Sequence, residues 1–158
     1  MTEKIKNRTS QIIKSLNVDI LPFKVDVEIL TFLGRDIATN LKSILSSIDK
    51  WPELKWCLST IKRAKVFTII YQGNEMDEPI YKEEVAKRLP EYSYKTIATI
   101  IDDGCTKGYF VSLDPYERSI KDKKIKNIRP SLELITAFYN WNFERISSVT
   151  NLVKKYNK

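Results

Sequence analysis

Histidine does not occur in this 158-residue chain, and cysteine occurs only as Cys57 and Cys105. Without CxxC pairs or Cys/His spacings there is no ordinary zinc site, and without histidine the commonest general base is missing. No glycine-rich phosphate loop or nucleophile elbow is present, and Asp102-Asp103 beside Cys105 lack a catalytic partner, so that acidic pair reads as a solvated helix face. The expectation is a protein that is not an enzyme and needs no cofactor and no metal. Four glycines leave little room for flexible linkers, and no repeat or low-complexity tract is seen. The opening MTEKIKNRTSQIIKSLNVDILPF carries charge throughout and lacks the uninterrupted apolar run of a signal peptide or membrane span. These absences predict a soluble, cytoplasmic protein with reduced cysteines, no membrane partner and enough length for its own core.

Positive charge is what the chain has in excess. Lysine and arginine number 27 against 20 acidic residues, a formal net charge of +7 with a pI near 9.3. The many Lys and Ile residues also fit an AT-rich genome, so placement carries more than the total. Residues 116–129 hold Arg118, Lys121, Lys123, Lys124, Lys126 and Arg129 against Glu117 and Asp122, and so supply four of the seven net charges. Charge concentrated this way points to a polyanionic partner.

Apolar periodicity predicts helices at both ends of the chain. Residues 3–16 carry Ile5, Thr9, Ile12, Ile13 and Leu16 on one side and lead to an irregular segment around Pro22. A helix from Arg35 to about Asp49 is marked by Ile37, Leu41, Ile44, Leu45 and Ile48, with Gly34 and Trp51-Pro52 as boundaries. A second, from about Glu53 to Gln72, ends at Gln72-Gly73-Asn74. At the far end Ser131 caps a long helix bearing Leu132, Ile135, Phe138, Tyr139, Trp141, Ile146, Val149 and Val153. Such stripes serve either core packing or a dimer interface.

Between residues 79 and 131 the pattern changes. A short apolar start, Pro79-Ile80, precedes the helix YKEEVAKRL (81–89), with Val85, Ala86 and Leu89 inward. Pro90-Glu91-Tyr92 breaks it, and Ser93 caps a second helix whose Ile97, Ile100 and Ile101 face the core. The opposite face presents Tyr94, Lys95, Thr96 and Thr99, with donors, acceptors and methyl groups suited to base edges and phosphates. Gly104 inside this helix costs about 1 kcal/mol relative to alanine and allows a bend. Gly108 ends the helix in a left-handed conformation; Tyr109–Leu113 reads as a strand, Asp114-Pro115 as a turn, and Lys124–Arg129 as the returning strand, with Lys124, Lys126 and Arg129 outward and Pro130 ending it.

In this order EPIYKEEVAKRL, SYKTIATIIDDGCTKGYF, Asp122-Lys123-Lys124 and Pro130-Ser131 resemble the winged-helix domain of MarR-type transcriptional regulators, over about Leu58 to Arg145. The fold class expected is mainly α with a small β-hairpin wing: a winged helix-turn-helix with flanking N- and C-terminal dimerisation helices. Residues 1–52 form the N-terminal helices, 53–130 the DNA-binding domain and 131–158 the C-terminal dimerisation helix. The resemblance implies a homodimer that places a recognition helix in the major groove and a wing near the minor groove of a pseudo-palindromic site. Two departures stand out: a lysine at the wing position where the family usually has arginine, and residues 1–34, longer than the family's usual opening.

The resulting expectation is a sequence-preferring regulator of transcription that binds double-stranded DNA, associated with the nucleoid if the cell is bacterial or archaeal. Its recognition-helix residues are Ser93, Tyr94, Lys95, Thr96 and Thr99, and its wing residues Arg118, Lys121, Lys123, Lys124 and Lys126. A winged-helix protein-interaction module and a replication or genome-maintenance factor are the alternatives. A small-molecule effector is left open by Trp51, Trp56, Phe138, Tyr139 and Trp141, which line a cleft or pack as core and interface.

Overall fold

The computed structural model describes residues 10–16, 22–78, 80–113 and 127–157. The chain divides into two compact units, Met1–Ile48 with Trp141–Lys158, and Asp49–Asn140. Helices dominate both, and a two-stranded antiparallel hairpin lies in the second. No helix among the described residues is long and apolar enough to cross a membrane.

The unit Asp49–Asn140 opens with α2 (Pro52–Leu58), following α1 (Val27–Ser47) of the other unit; Pro52 occupies its first turn, where a missing N–H costs nothing. The apolar period continues through Leu58 into Ile61, which predicts one helix over 53–72. Instead the chain turns at Ser59-Thr60. Thr60 is extended (φ −140°, ψ 152°) and its hydroxyl accepts from the Arg63 N–H, so a new helix, α3 (Ile61–Glu75), starts there. Nor does Gly73 stop α3. It lies within the helix because a Cβ there would sit 2.1 Å from Ile80 Cγ1. The stop falls at Asp77, whose left-handed φ of 51° lets Glu78 N–H reach the Gly73 carbonyl at 2.8 Å.

Two helices follow across a short turn, α4 (Lys82–Arg88) and α5 (Tyr94–Thr106). Val85 and Leu89 are buried and Ala86 half-buried, as the pattern predicts. On α5, Ile97 and Ile101 are fully buried, whereas Ile100 stays half-buried at the edge of a surface groove. Gly104 is a packing position: a Cβ would lie 2.3 Å from Phe110 Cδ2. Gly108, at φ 75°, closes the helix with Tyr109 N–H on the Gly104 carbonyl and its own N–H on Cys105.

β1 (Phe110–Leu113) pairs with β2 (Asn127–Pro130) in the register Phe110↔Pro130 to Leu113↔Asn127. Pro130 belongs to the strand, as its last residue. Ile80 extends the pairing: its N–H donates to Asn127 Oδ1 at 3.0 Å, and its carbonyl accepts from Ile128 N–H at 2.7 Å. Buried Ser131 then caps α6 (Leu132–Tyr156), accepting from the Leu134 N–H. Leu54, Val66, Phe67, Ile70, Ile80, Ile97, Ile101, Phe110 and Leu134 make one core.

The other unit contains α1 (Val27–Ser47), ended by a 3₁₀ turn at Ile48–Lys50, and the later part of α6. Residues 10–15 are helical as well. α1 begins eight residues before Arg35 because Asp26 accepts from the Ile29 N–H at 2.7 Å and caps it there. Gly34 is therefore interior to the helix and not its boundary. Leu33 and Trp141 are buried. Polar contacts tie α1 to α6: Asn40 bonds Ser148, Trp141 Nε1–H donates to the Ile44 carbonyl at 3.4 Å, and Asp36 accepts from Tyr156 Oη at 2.6 Å.

Candidate nucleic-acid interface

The site is built on the outward face of α5. Ser93 caps the helix: its Oγ accepts from the Thr96 N–H at 3.2 Å and lies 3.0 Å from Thr96 Oγ1. Its hydroxyl is thus committed to starting the helix. Burial of Ile97 and Ile101 turns the other side to solvent, so Tyr94, Lys95 and Thr99 are exposed and Thr96 half-buried. Thr99 Oγ1 donates back to the Lys95 carbonyl at 2.8 Å, leaving its lone pairs and methyl outward. Tyr94 departs from the group. Its hydroxyl donates to Glu83 Oε1 at 3.1 Å, and that carboxylate holds its pKa above the usual tyrosine value.

Lys95, Thr96, Thr99 and Ile100 form one bank of an open groove of about 440 Å³, and Thr60, Lys62 and Arg63 form the other. The second bank comes from the first turn of α3. A plain signal for it exists in Ser59-Thr60-Ile61-Lys62-Arg63, a cap followed by two cations, but it was masked by the apolar period running through Leu58 and Ile61. Arg63 is held in place three ways: Nη1–H donates to Ser59 Oγ at 2.9 Å, the guanidinium sits 4.5 Å from the Trp56 ring, and Nη2 lies 3.6 Å from Asp103 Oδ2. Lys62 Nζ is 5.7 Å from the centre of the Tyr92 ring.

The acids of α5 are matched by cations. Asp102 pairs with Lys82 of α4 at 2.5 Å, and Asp103 with Arg63 and, at 4.0 Å, with Lys107. Among the described residues no carboxylate pairs with Lys62 or Lys95. The groove therefore presents two unneutralised ammonium groups and one oriented guanidinium beside two threonines.

Arg118, Lys121, Lys123, Lys124 and Lys126 lie outside the described residues, as do the turn at Asp114-Pro115 and the start of the returning strand. Arg129, however, is described, and it does not point outward. Its side chain is 11% exposed; Nη2 pairs with Asp77 at 3.0 Å and Nη1–H donates to the Asn74 carbonyl at 3.3 Å. The guanidinium thus caps the C-terminus of α3, where its carbonyls lack helical partners and favour a cation. One of the six basic residues in the 116–129 window is structural.

Of the five aromatics expected either to line an effector cleft or to pack, four make packing or hydrogen-bond contacts, Phe138 and Tyr139 both meeting Tyr71. Trp56 meets Tyr109 and Phe110, Phe138 packs on Phe67 and Tyr71, Tyr139 Oη–H donates to Glu75 at 2.9 Å, and Trp141 bonds α1. Among the described residues no group accepts from the buried indole N–H of Trp51 or of Trp56. Burial pushes the Cys57 thiol up to about 12, which leaves it unreactive.

No protein-family model matches the chain, and no curated protein or solved structure does.

Proposed function

We propose that the chain is a winged helix-turn-helix protein of the MarR type, a transcriptional regulator that binds double-stranded DNA as a homodimer. The observation that carries this reading is the outward side of α5: exposed Lys95 and Thr99 and half-buried Thr96 line one groove with Lys62 and Arg63, while the acids two turns later are paired off. α4 and α5 supply the two helices, β1 and β2 the base of the wing. Lys95 and the two threonines meet base edges in the major groove, and Tyr94 offers its ring while Glu83 engages its hydroxyl. The basic run from Arg118 to Lys126 neutralises backbone phosphates.

Dimerisation is supported by apolar side chains left in solvent on α1 and α6. Ile37, Leu41 and Leu45, at four-residue spacing, are 49%, 52% and 59% exposed, and Phe143, Ile146 and Val149 are 60%, 62% and 52% exposed. A patch of this kind is what an oligomer interface covers. A second copy of the chain is its occupant in this reading.

Selection of bound fragments from random duplex DNA at stated salt tests the proposal. Enriched half-sites about one helical turn apart, relaxed at a base position by Lys95→Ala, are the expected result. Binding with no enriched sequence would remove the regulatory role.

A further inference from the structure

We propose that Lys62 and Arg63, on the first turn of α3, form a second backbone-phosphate contact that clamps one DNA strand against α5, separate from the wing. The inference rests on the DNA-binding reading above and deepens it. Nothing in the pattern of α5 or of the 116–129 window calls for these residues. They enter because the break at Ser59-Thr60 places the start of α3 across an open groove from Lys95, Thr96 and Thr99.

The chemistry of that bank fits a phosphodiester strand and not a base edge. Arg63 is stacked on Trp56 and bonded to Ser59, so its guanidinium cannot extend into a groove floor, yet it carries more N–H donors than Ser59 takes. Asp103, 3.6 Å from Nη2, offsets part of its charge. Lys62 is exposed, has no carboxylate partner among the described residues, and lies 5.7 Å from the centre of the Tyr92 ring. It should therefore carry most of the salt dependence of this bank. Lys65, one turn further on, is a built-in contrast: Glu91 holds it at 2.6 Å, so its charge is already matched. A contact made to phosphate alone positions α5 without reading sequence. Its loss should weaken every duplex to a similar extent.

The test is fluorescence anisotropy with the full chain and a labelled mixed-sequence duplex, repeated from about 50 to 200 mM salt. Lys62→Ala is expected to reduce the magnitude of the log–log salt slope by about 0.9 per subunit. The same fractional loss should appear on unrelated sequences, Lys62→Arg should return the wild-type slope, and Lys65→Ala should change it less. A wild-type chain that binds in a salt-sensitive way while Lys62→Ala keeps both affinity and slope overturns the clamp and leaves DNA binding intact. Equal effects of Lys62→Ala and Lys65→Ala overturn it too, because the contribution is then general charge. A wild-type chain that ignores duplex DNA, or prefers single-stranded RNA of the same sequence, overturns the clamp together with the reading beneath it.

Discussion

The two units of this chain solve the problem of burial differently. Asp49–Asn140 encloses apolar side chains drawn from α2, α3, α4, α5, both strands and the start of α6, among them Leu54, Phe67, Ile97, Phe110 and Leu134. The unit formed by Met1–Ile48 and Trp141–Lys158 buries, among the described residues, only Leu33 and Trp141, and joins α1 to α6 through hydrogen bonds and the Lys155–Asp36 ion pair. Hydrophobic burial contributes roughly 25 cal/mol per Å², so among the described residues the first unit draws far more stability from its interior than the second. Among the described residues this unit's helix pair leaves seven large apolar side chains in solvent, Phe32 with the six named above, and in the proposed dimer a second copy covers the stripe. In the proposed reading, DNA binding belongs to the first unit and assembly to the second.

The largest break of the contrast comes from the exposed stripe. Leu41→Asp with Ile146→Asp should yield a monomer by sedimentation and lower affinity for a two-half-site duplex roughly 10²-fold or more through lost avidity. Unchanged sedimentation would mean that the stripe has another occupant. Because both positions face solvent, the unit Asp49–Asn140 should keep its unfolding transition.

Glycines sharpen the contrast next. Gly104→Ala drives a methyl into the Phe110 ring and should cost about 1–3 kcal/mol in denaturant unfolding. Gly34→Ala in α1 meets open space and should stabilise by up to about 1 kcal/mol. Equal effects at the two sites would contradict the packing described for α5 on β1.

Arg129→Ala should cost about 1 kcal/mol, from lost capping of α3 and the Asp77 pair. Arg129→Lys should recover little of it, since an ammonium lacks the fork that spans both partners. If Arg129→Ala weakened DNA binding at unchanged stability, the residue would belong to the interface after all.

The smallest effect is on pH. Hydrogen bonds from Lys155 and Tyr156 hold the Asp36 carboxyl below the usual aspartate value. A depressed carboxylate contributes stability that is present above about pH 4 and lost as pH falls through its folded-state value. Asp36→Asn should therefore lose less of its thermal midpoint than wild type between about pH 5 and pH 3, and an identical loss would show the α1–α6 pair to be without energetic effect.

Much of this was legible in the residues. Ser93, Ser131 and Gly108 mark their helix ends because capping is local chemistry, and the burial of Val85, Ile97 and Ile101 follows from spacing. Three features were not legible because they depend on residues distant in the chain or on a cap overriding a period. Gly104 reads as a weak helix residue until Phe110 is folded onto it. Arg129 reads as one more basic residue until α3, more than fifty positions upstream, presents its carbonyls. Lys62 and Arg63 were hidden inside a helix that Thr60 divides. Clustering of charge in 116–129 was plain, but Arg129, the basic residue of that window that is described, turns in.

Binding to duplex DNA as a function of salt tests the central claim most directly. Anisotropy of a labelled duplex spanning two half-sites should give a log–log slope of about −5 to −7 from the wings, steeper with the α3 contacts, and flatter in Lys123→Ala/Lys124→Ala. A chain that shows no salt-sensitive binding to duplex at any of these concentrations would contradict the account.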